Sequence, residues 1–112
     1  MQIVTEKISQ AEVLKLSDEG FGDFVKAVVD IEREIMAIGG ELHADDEALL
    51  LEDGSKQQDL WGINIYPGKT REEWVEFDSM INIRPRQNNR SRGVENITLQ
   101  KRIIEIVNNI IV

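Results

Sequence analysis

Two near-copies of one phrase, Ile63-Asn64-Ile65-Tyr66-Pro67 and Ile81-Asn82-Ile83-Arg84-Pro85, constrain this chain more than any other feature. Each alternates a β-branched residue with a polar one, the period of a strand with one buried face. Each stops at a proline, which cannot donate to a sheet ladder. Pro67-Gly68-Lys69-Thr70 between them is turn chemistry, and Glu76-Phe77-Asp78-Ser79-Met80 leads into the second copy with the same alternation. Paired antiparallel, the two strands would turn Trp61, Ile63, Ile65, Phe77, Ile81 and Ile83 toward a core, and Asn64, Tyr66, Asp78, Asn82 and Arg84 away from it. Such a polar face suits a ligand. It suits water equally, because an antiparallel sheet commonly leaves one face wet.

The flanking segments predict one α+β domain over residues 1–112: two N-terminal helices, a three-stranded mainly antiparallel sheet, and a C-terminal helix packed on one face. Ser9-Gln10-Ala11-Glu12 has the spacing of a capping box and opens a first helix that runs to about Ser17. Apolar residues at Phe24, Val25, Val28, Val29, Ile31, Ile35, Met36 and Ile38 recur at the helical period and predict a second helix over 23–38, closed by Gly39-Gly40. Ala48-Leu49-Leu50-Leu51-Glu52 reads as a short buried strand. Asn96 is a suitable cap for a last helix over 94–112, whose many isoleucines would cover the sheet or pair with a second copy.

Three stretches carry candidate chemistry. The first is the polar strand face. The second, Glu41-Leu42-His43-Ala44-Asp45-Asp46-Glu47, holds the chain's only histidine beside carboxylates, the residue types of a divalent-metal site or an acid–base pair. Its spacing fits no recognised metal motif. With Asp78 it gives a candidate metal set of His43, Asp45 and Asp78, which in a metal-assisted phosphate-ester hydrolase or nuclease would generate hydroxide. The third is Arg84-Pro85-Arg86-Gln87-Asn88-Asn89-Arg90-Ser91-Arg92, with four arginines in nine residues and no acid between Asp78 and Glu95. Arginine's planar fork suits bidentate binding of phosphate or carboxylate. An anion site there would draw charge from Arg84, Arg86, Arg90 and Arg92 and neutral hydrogen bonds from Asn82, Asn89 and Ser91. The bland alternative is a solvated loop whose arginines pair with the chain's own carboxylates.

Charge narrows the partners. The net charge of −8 argues against nucleic acid, whose backbone is held by clustered Lys and Arg. It is unevenly spread: residues 1–78 carry 19 acids against 7 bases, and residues 79–112 carry 2 against 6. The expected partner is therefore an anionic small molecule or an acidic protein surface. Without cysteine there is no disulfide and no thiolate site. Met1-Gln2-Ile3-Val4-Thr5-Glu6 lacks a basic start and a long apolar run, so the expectation is a cytoplasmic protein with no membrane segment. The cofactor is left open. The isoleucine-rich last helix leaves monomer and homodimer open, and with them a purely structural or oligomerisation module.

Several longer strings carry a resemblance: Val25-Lys26-Ala27-Val28-Val29-Asp30-Ile31-Glu32, Leu42-His43-Ala44-Asp45, Gly54-Ser55-Lys56-Gln57, Asp59-Leu60-Trp61-Gly62, Glu76-Phe77-Asp78-Ser79, and Ile81-Asn82-Ile83-Arg84-Pro85 with Asn89-Arg90-Ser91. Through them nearly the whole chain resembles a family of small prokaryotic proteins grouped as a domain of unknown function. That resemblance implies no activity. The order of elements is also loosely similar to small ribosome-dependent messenger-RNA endonucleases of toxin modules, which are usually basic where this chain is acidic.

Overall fold

Valine and isoleucine favour extended backbone when both faces of a strand can be buried, and residues 25–38 meet that condition. In the computed structural model, which describes residues 1–112, the segment expected as one helix is an antiparallel hairpin of β2 (Val25–Asp30) and β3 (Ile35–Ile38). No glycine or proline marks its turn. Asp30 makes it instead: its carboxylate oxygen Oδ1 accepts from the amides of Glu32 at 2.9 Å and Arg33 at 3.0 Å, and Glu34 takes a positive φ of 57°.

Around that hairpin the sheet has five strands, all antiparallel, in the order β1-β3-β2-β4-β5. β1 (Gln2–Val4) pairs on the outer side of β3. β4 (Leu60–Ile65), the first of the twin phrases, pairs along the other side of β2, and β5 (Val75–Glu76) adds two residues to its end. The domain is α+β as expected, with five strands rather than three.

Both faces of the sheet are covered. On one lie α1 (Gln10–Glu19) and α3 (Ile97–Ile110), whose Val13, Ile103, Ile106, Val107 and Ile110 pack with Ala27, Val29, Met36, Ile38, Trp61, Ile63 and Ile65. Each buried isoleucine or valine contributes about 2 kcal/mol of transfer free energy. The first and last helices start where expected, with Ser9 Oγ accepting from Glu12 N–H at 3.1 Å and Asn96 Oδ1 from Leu99 N–H at 3.0 Å. The other face carries α2 (His43–Glu52), whose Leu50 packs with Val28, Ile35, Ala37 and Leu60. This helix replaces the strand expected at 48–52 and takes in most of the acidic stretch before it. A run of three leucines reads as either element, and here Asp45 decides by accepting the Leu42 amide at 3.1 Å across the first turn.

The second twin phrase is not a strand. It passes alongside β4 as two single 3₁₀ turns, Met80–Asn82 and Pro85–Gln87. Ile81 consequently packs with the α2-side cluster, and Ile83 is 39% exposed. No helix is long and apolar enough to cross a membrane.

Candidate functional site

Strand register builds the floor of one cleft. Lys26 on β2 stands directly opposite Asn64 on β4, and Asn64 directly opposite Glu76 on β5. Directly opposed residues point to the same side, so the three form one row across the sheet on the α2 face. The first turn of α2, with Leu42, His43 and Ala44, forms one wall of the cleft; Asp78, Ser79 and Met80 form another, and the volume enclosed is about 510 Å³. Phe24 and Tyr66 line its mouth, their ring centroids 5.4 Å apart, and Phe21 stacks on Phe24 at 4.8 Å.

His43 is buried and lies 2.8 Å through Nε2 from the carbonyl oxygen of Ile63. A carbonyl only accepts, so Nε2 carries the proton and Nδ1 keeps its lone pair in the neutral ring. Burial holds the ring's pKa below its ordinary value, against the opposing pull of the Ile63 carbonyl. Asn64 is 6% exposed; its Nδ2 donates to Glu76 Oε1 at 2.8 Å, and its Oδ1 has no partner. Tyr66 donates to the same Glu76 oxygen at 3.2 Å, and burial, with Glu76 adding to it, raises the phenol's pKa. At the lip Arg92 pairs with Asp78 at 2.7 Å. Lys26 lies over the Phe21 ring, 5.1 Å from its centroid, and joins none of the ion pairs.

The arginine-rich loop lies next to this cleft, and the fold uses most of its side chains. Asn82 bonds both backbone groups of Gly62, and Asn89 donates to the carbonyls of Asn82 and Gly93, each at 2.8 Å, while its Oδ1 accepts from Glu95 N–H at 2.9 Å. Arg84 donates to the Leu60 carbonyl at 2.7 Å and stacks over Trp61 with its guanidinium carbon 4.0 Å from the ring centroid. Glu95 receives the amides of Arg90 at 2.5 Å and Ser91 at 2.9 Å, and those two bonds hold its pKa below the usual range. A carboxylate of the chain itself thus occupies the loop's amides. The side chains of Arg86 and Arg90 are exposed and join no ion pair.

Of the expected metal set, His43 and Asp78 line the cleft, whereas Asp45 caps its own helix and lines a different hollow, beside Gly40 and Glu52. No three histidine, aspartate or glutamate side chains come together in a way that could hold an ion. The structure therefore does not assemble His43, Asp45 and Asp78 as one site, because residues two apart at the start of a helix point in different directions.

A family model described as protein of unknown function (DUF5674) matches residues 2–110. The chain belongs to the DUF5674 family. The resemblance drawn from its longer strings holds, and the match spans every residue of the cleft. No curated protein and no solved structure matches the chain.

In this DUF5674 protein the cleft takes in Asn64, Tyr66 and Asp78 from the polar strand face, and His43. Lys26 was missed because its segment carries helical spacing, which hides the strand register that puts it opposite Asn64. Glu76 was read only as a lead-in; the signal for it was its place at the start of the alternation that ends at Met80.

Proposed function

We propose that this DUF5674 protein binds a small molecule through an anionic group, and that the site is the cleft at the first turn of α2. The observation that carries this reading is Lys26: in a chain of net charge −8, a half-buried lysine in the cleft floor has no carboxylate partner. Two further features support it. The amides of His43 and Ala44 lie in the first helical turn, where no intrahelical acceptor exists, and the helix dipole favours negative charge there. Arg92, the one arginine of the loop that lines the cleft, neutralises Asp78 at the lip and so leaves Lys26 as the cation without a partner. The volume suits a small ligand better than a protein surface, which would need a broad exposed patch.

The test is a titration of the labelled protein with inorganic phosphate and with acetate, followed by amide resonances. Shifts centred on Lys26, His43 and Ala44 that disappear in Lys26→Ala support the reading. Unchanged spectra in both titrations overturn it.

A further inference from the structure

We infer that the ligand is a zwitterion of the α-amino-acid type, with its carboxylate toward Lys26 and its ammonium toward Asn64 and Glu76. The inference rests on the cleft being an anion site, as proposed above, and deepens it.

The argument comes from the row across the sheet. Reading from β2 to β5 it presents a cation, a neutral amide and an anion: Lys26, Asn64 and Glu76. The middle member has its nitrogen committed to Glu76 and its oxygen without a partner, in a residue 6% exposed. A buried acceptor without a donor is uncommon, and a turn of the Asn64 side chain toward the cleft would let a ligand supply one. Glu76 is exposed, accepts only from the neutral Asn64 amide and Tyr66 hydroxyl and meets no cation of the chain, so its charge is open to a ligand's. An ammonium group satisfies both, because it brings three donors and a positive charge.

His43 does not supply the missing donor. Its Nε2 proton is directed at the Ile63 carbonyl, and only a doubly protonated ring would offer a second donor toward Asn64, a form that burial disfavours. A simple anion is a poorer ligand, since it would set lone pairs against the lone pairs of Asn64 and Glu76. A bare metal ion is poorer too, because Asp78 is held by Arg92 and no three acidic or histidine groups converge. Lys26 and Glu76 stand two strand spacings apart, roughly 10 Å between backbones, and their side chains reach inward to span the neighbouring charges of one small molecule. At the mouth, Phe24, Tyr66 and the 65% exposed Met80 offer an apolar wall, so an amino acid with an apolar side chain fits best.

Calorimetric titration with each of the standard free amino acids tests this, with N-acetyl derivatives as anion-only probes and the corresponding decarboxylated amines as cation-only probes. The expected result is that an apolar free amino acid binds at least about ten-fold more tightly than either of its halves. Glu76→Gln should remove that advantage while leaving the N-acetyl derivative's affinity unchanged, and Lys26→Gln should weaken the N-acetyl derivative and spare the amine. Equal affinity for the N-acetyl and free forms, or binding of phosphate with no binding of any amino acid, overturns the zwitterion and leaves the anion site standing. No binding of phosphate, acetate or any amino acid overturns both.

Discussion

The side-chain amide of Asn82 pairs with both backbone groups of Gly62: its Oδ1 accepts the Gly62 N–H at 2.8 Å, and its Nδ2 donates to the Gly62 carbonyl at 3.0 Å. The same nitrogen donates to the Arg92 carbonyl at 3.0 Å. One side chain thus does on the outer side of β4 what a strand would do, and it anchors the following loop. Asn82→Ala strands the N–H and C=O of Gly62, each costing about 1–3 kcal/mol, while the Arg92 carbonyl keeps the Ser79 amide, so denaturant unfolding should show a loss of about 3 kcal/mol. Asn82→Asp keeps only the acceptor and should also be strongly destabilised.

Gly62 itself is required by close approach. A Cβ there would meet Ser79 Oγ at 2.5 Å and Ser79 Cβ at 2.6 Å. Gly62→Ala should cost about 2 kcal/mol by overpacking. The double variant Gly62→Ala, Ser79→Gly should recover part of that loss, and a thermodynamic cycle measures how much.

Asp46 should set a decline in stability between about pH 4 and about pH 7. Its side chain is fully buried, its Oδ1 accepts only the Gly40 amide, its Oδ2 has no partner, and burial raises its pKa to about 7. Between about pH 4 and pH 7 the unfolded carboxyl has lost its proton while the folded one retains it. Stability from this group is therefore complete below about pH 4 and falls as pH rises to about 7, by a total on the order of 4 kcal/mol. His43, whose pKa is lowered by burial, acts oppositely: its contribution is present above about pH 6.5 and is lost as pH falls. Unfolding measured across pH should show the decline toward pH 7 abolished in Asp46→Asn, with the acid-side loss retained.

The arginines should separate into two groups. Arg84→Ala removes a donor to the Leu60 carbonyl and the cover over Trp61, and should destabilise by about 2 kcal/mol. Arg86→Ala, at an exposed side chain without an ion pair, should change stability by less than about 0.5 kcal/mol. Parallel thermal melts check both.

How much of this was legible follows from where side-chain periodicity had one meaning. The caps at Ser9 and Asn96 are local, and both helices begin where they say. The alternation at Ile63 to Ile65 sets the isoleucines on the α1–α3 side and Asn64 on the α2 side, and gives a strand. Val25 to Ile38 is buried on both faces, so its apolar spacing matches a helix by accident, and its turn depends on Asp30 rather than on glycine or proline. The second twin phrase alternates for another reason: Asn82 and Arg84 bond Gly62 and Leu60 of β4 through their side chains, so the period of a strand appears without its ladder. The cleft was half visible, because its floor joins residues 26, 64 and 76, and only the register brings them together.

β3 and β4 run in the same direction with β2 between them, and α2 carries the chain from one to the other across the face. The hairpin closes over four residues, whereas Val25 meets Ile65 only after forty more have been placed. Loop-closure entropy then favours an order in which β2 and β3 meet first and β4 arrives with α2. In the interval β2 has one open edge and valines on both faces, a template for a strand from another molecule. Refolding yield should accordingly fall as protein concentration rises, even for a chain whose native sheet has that edge closed.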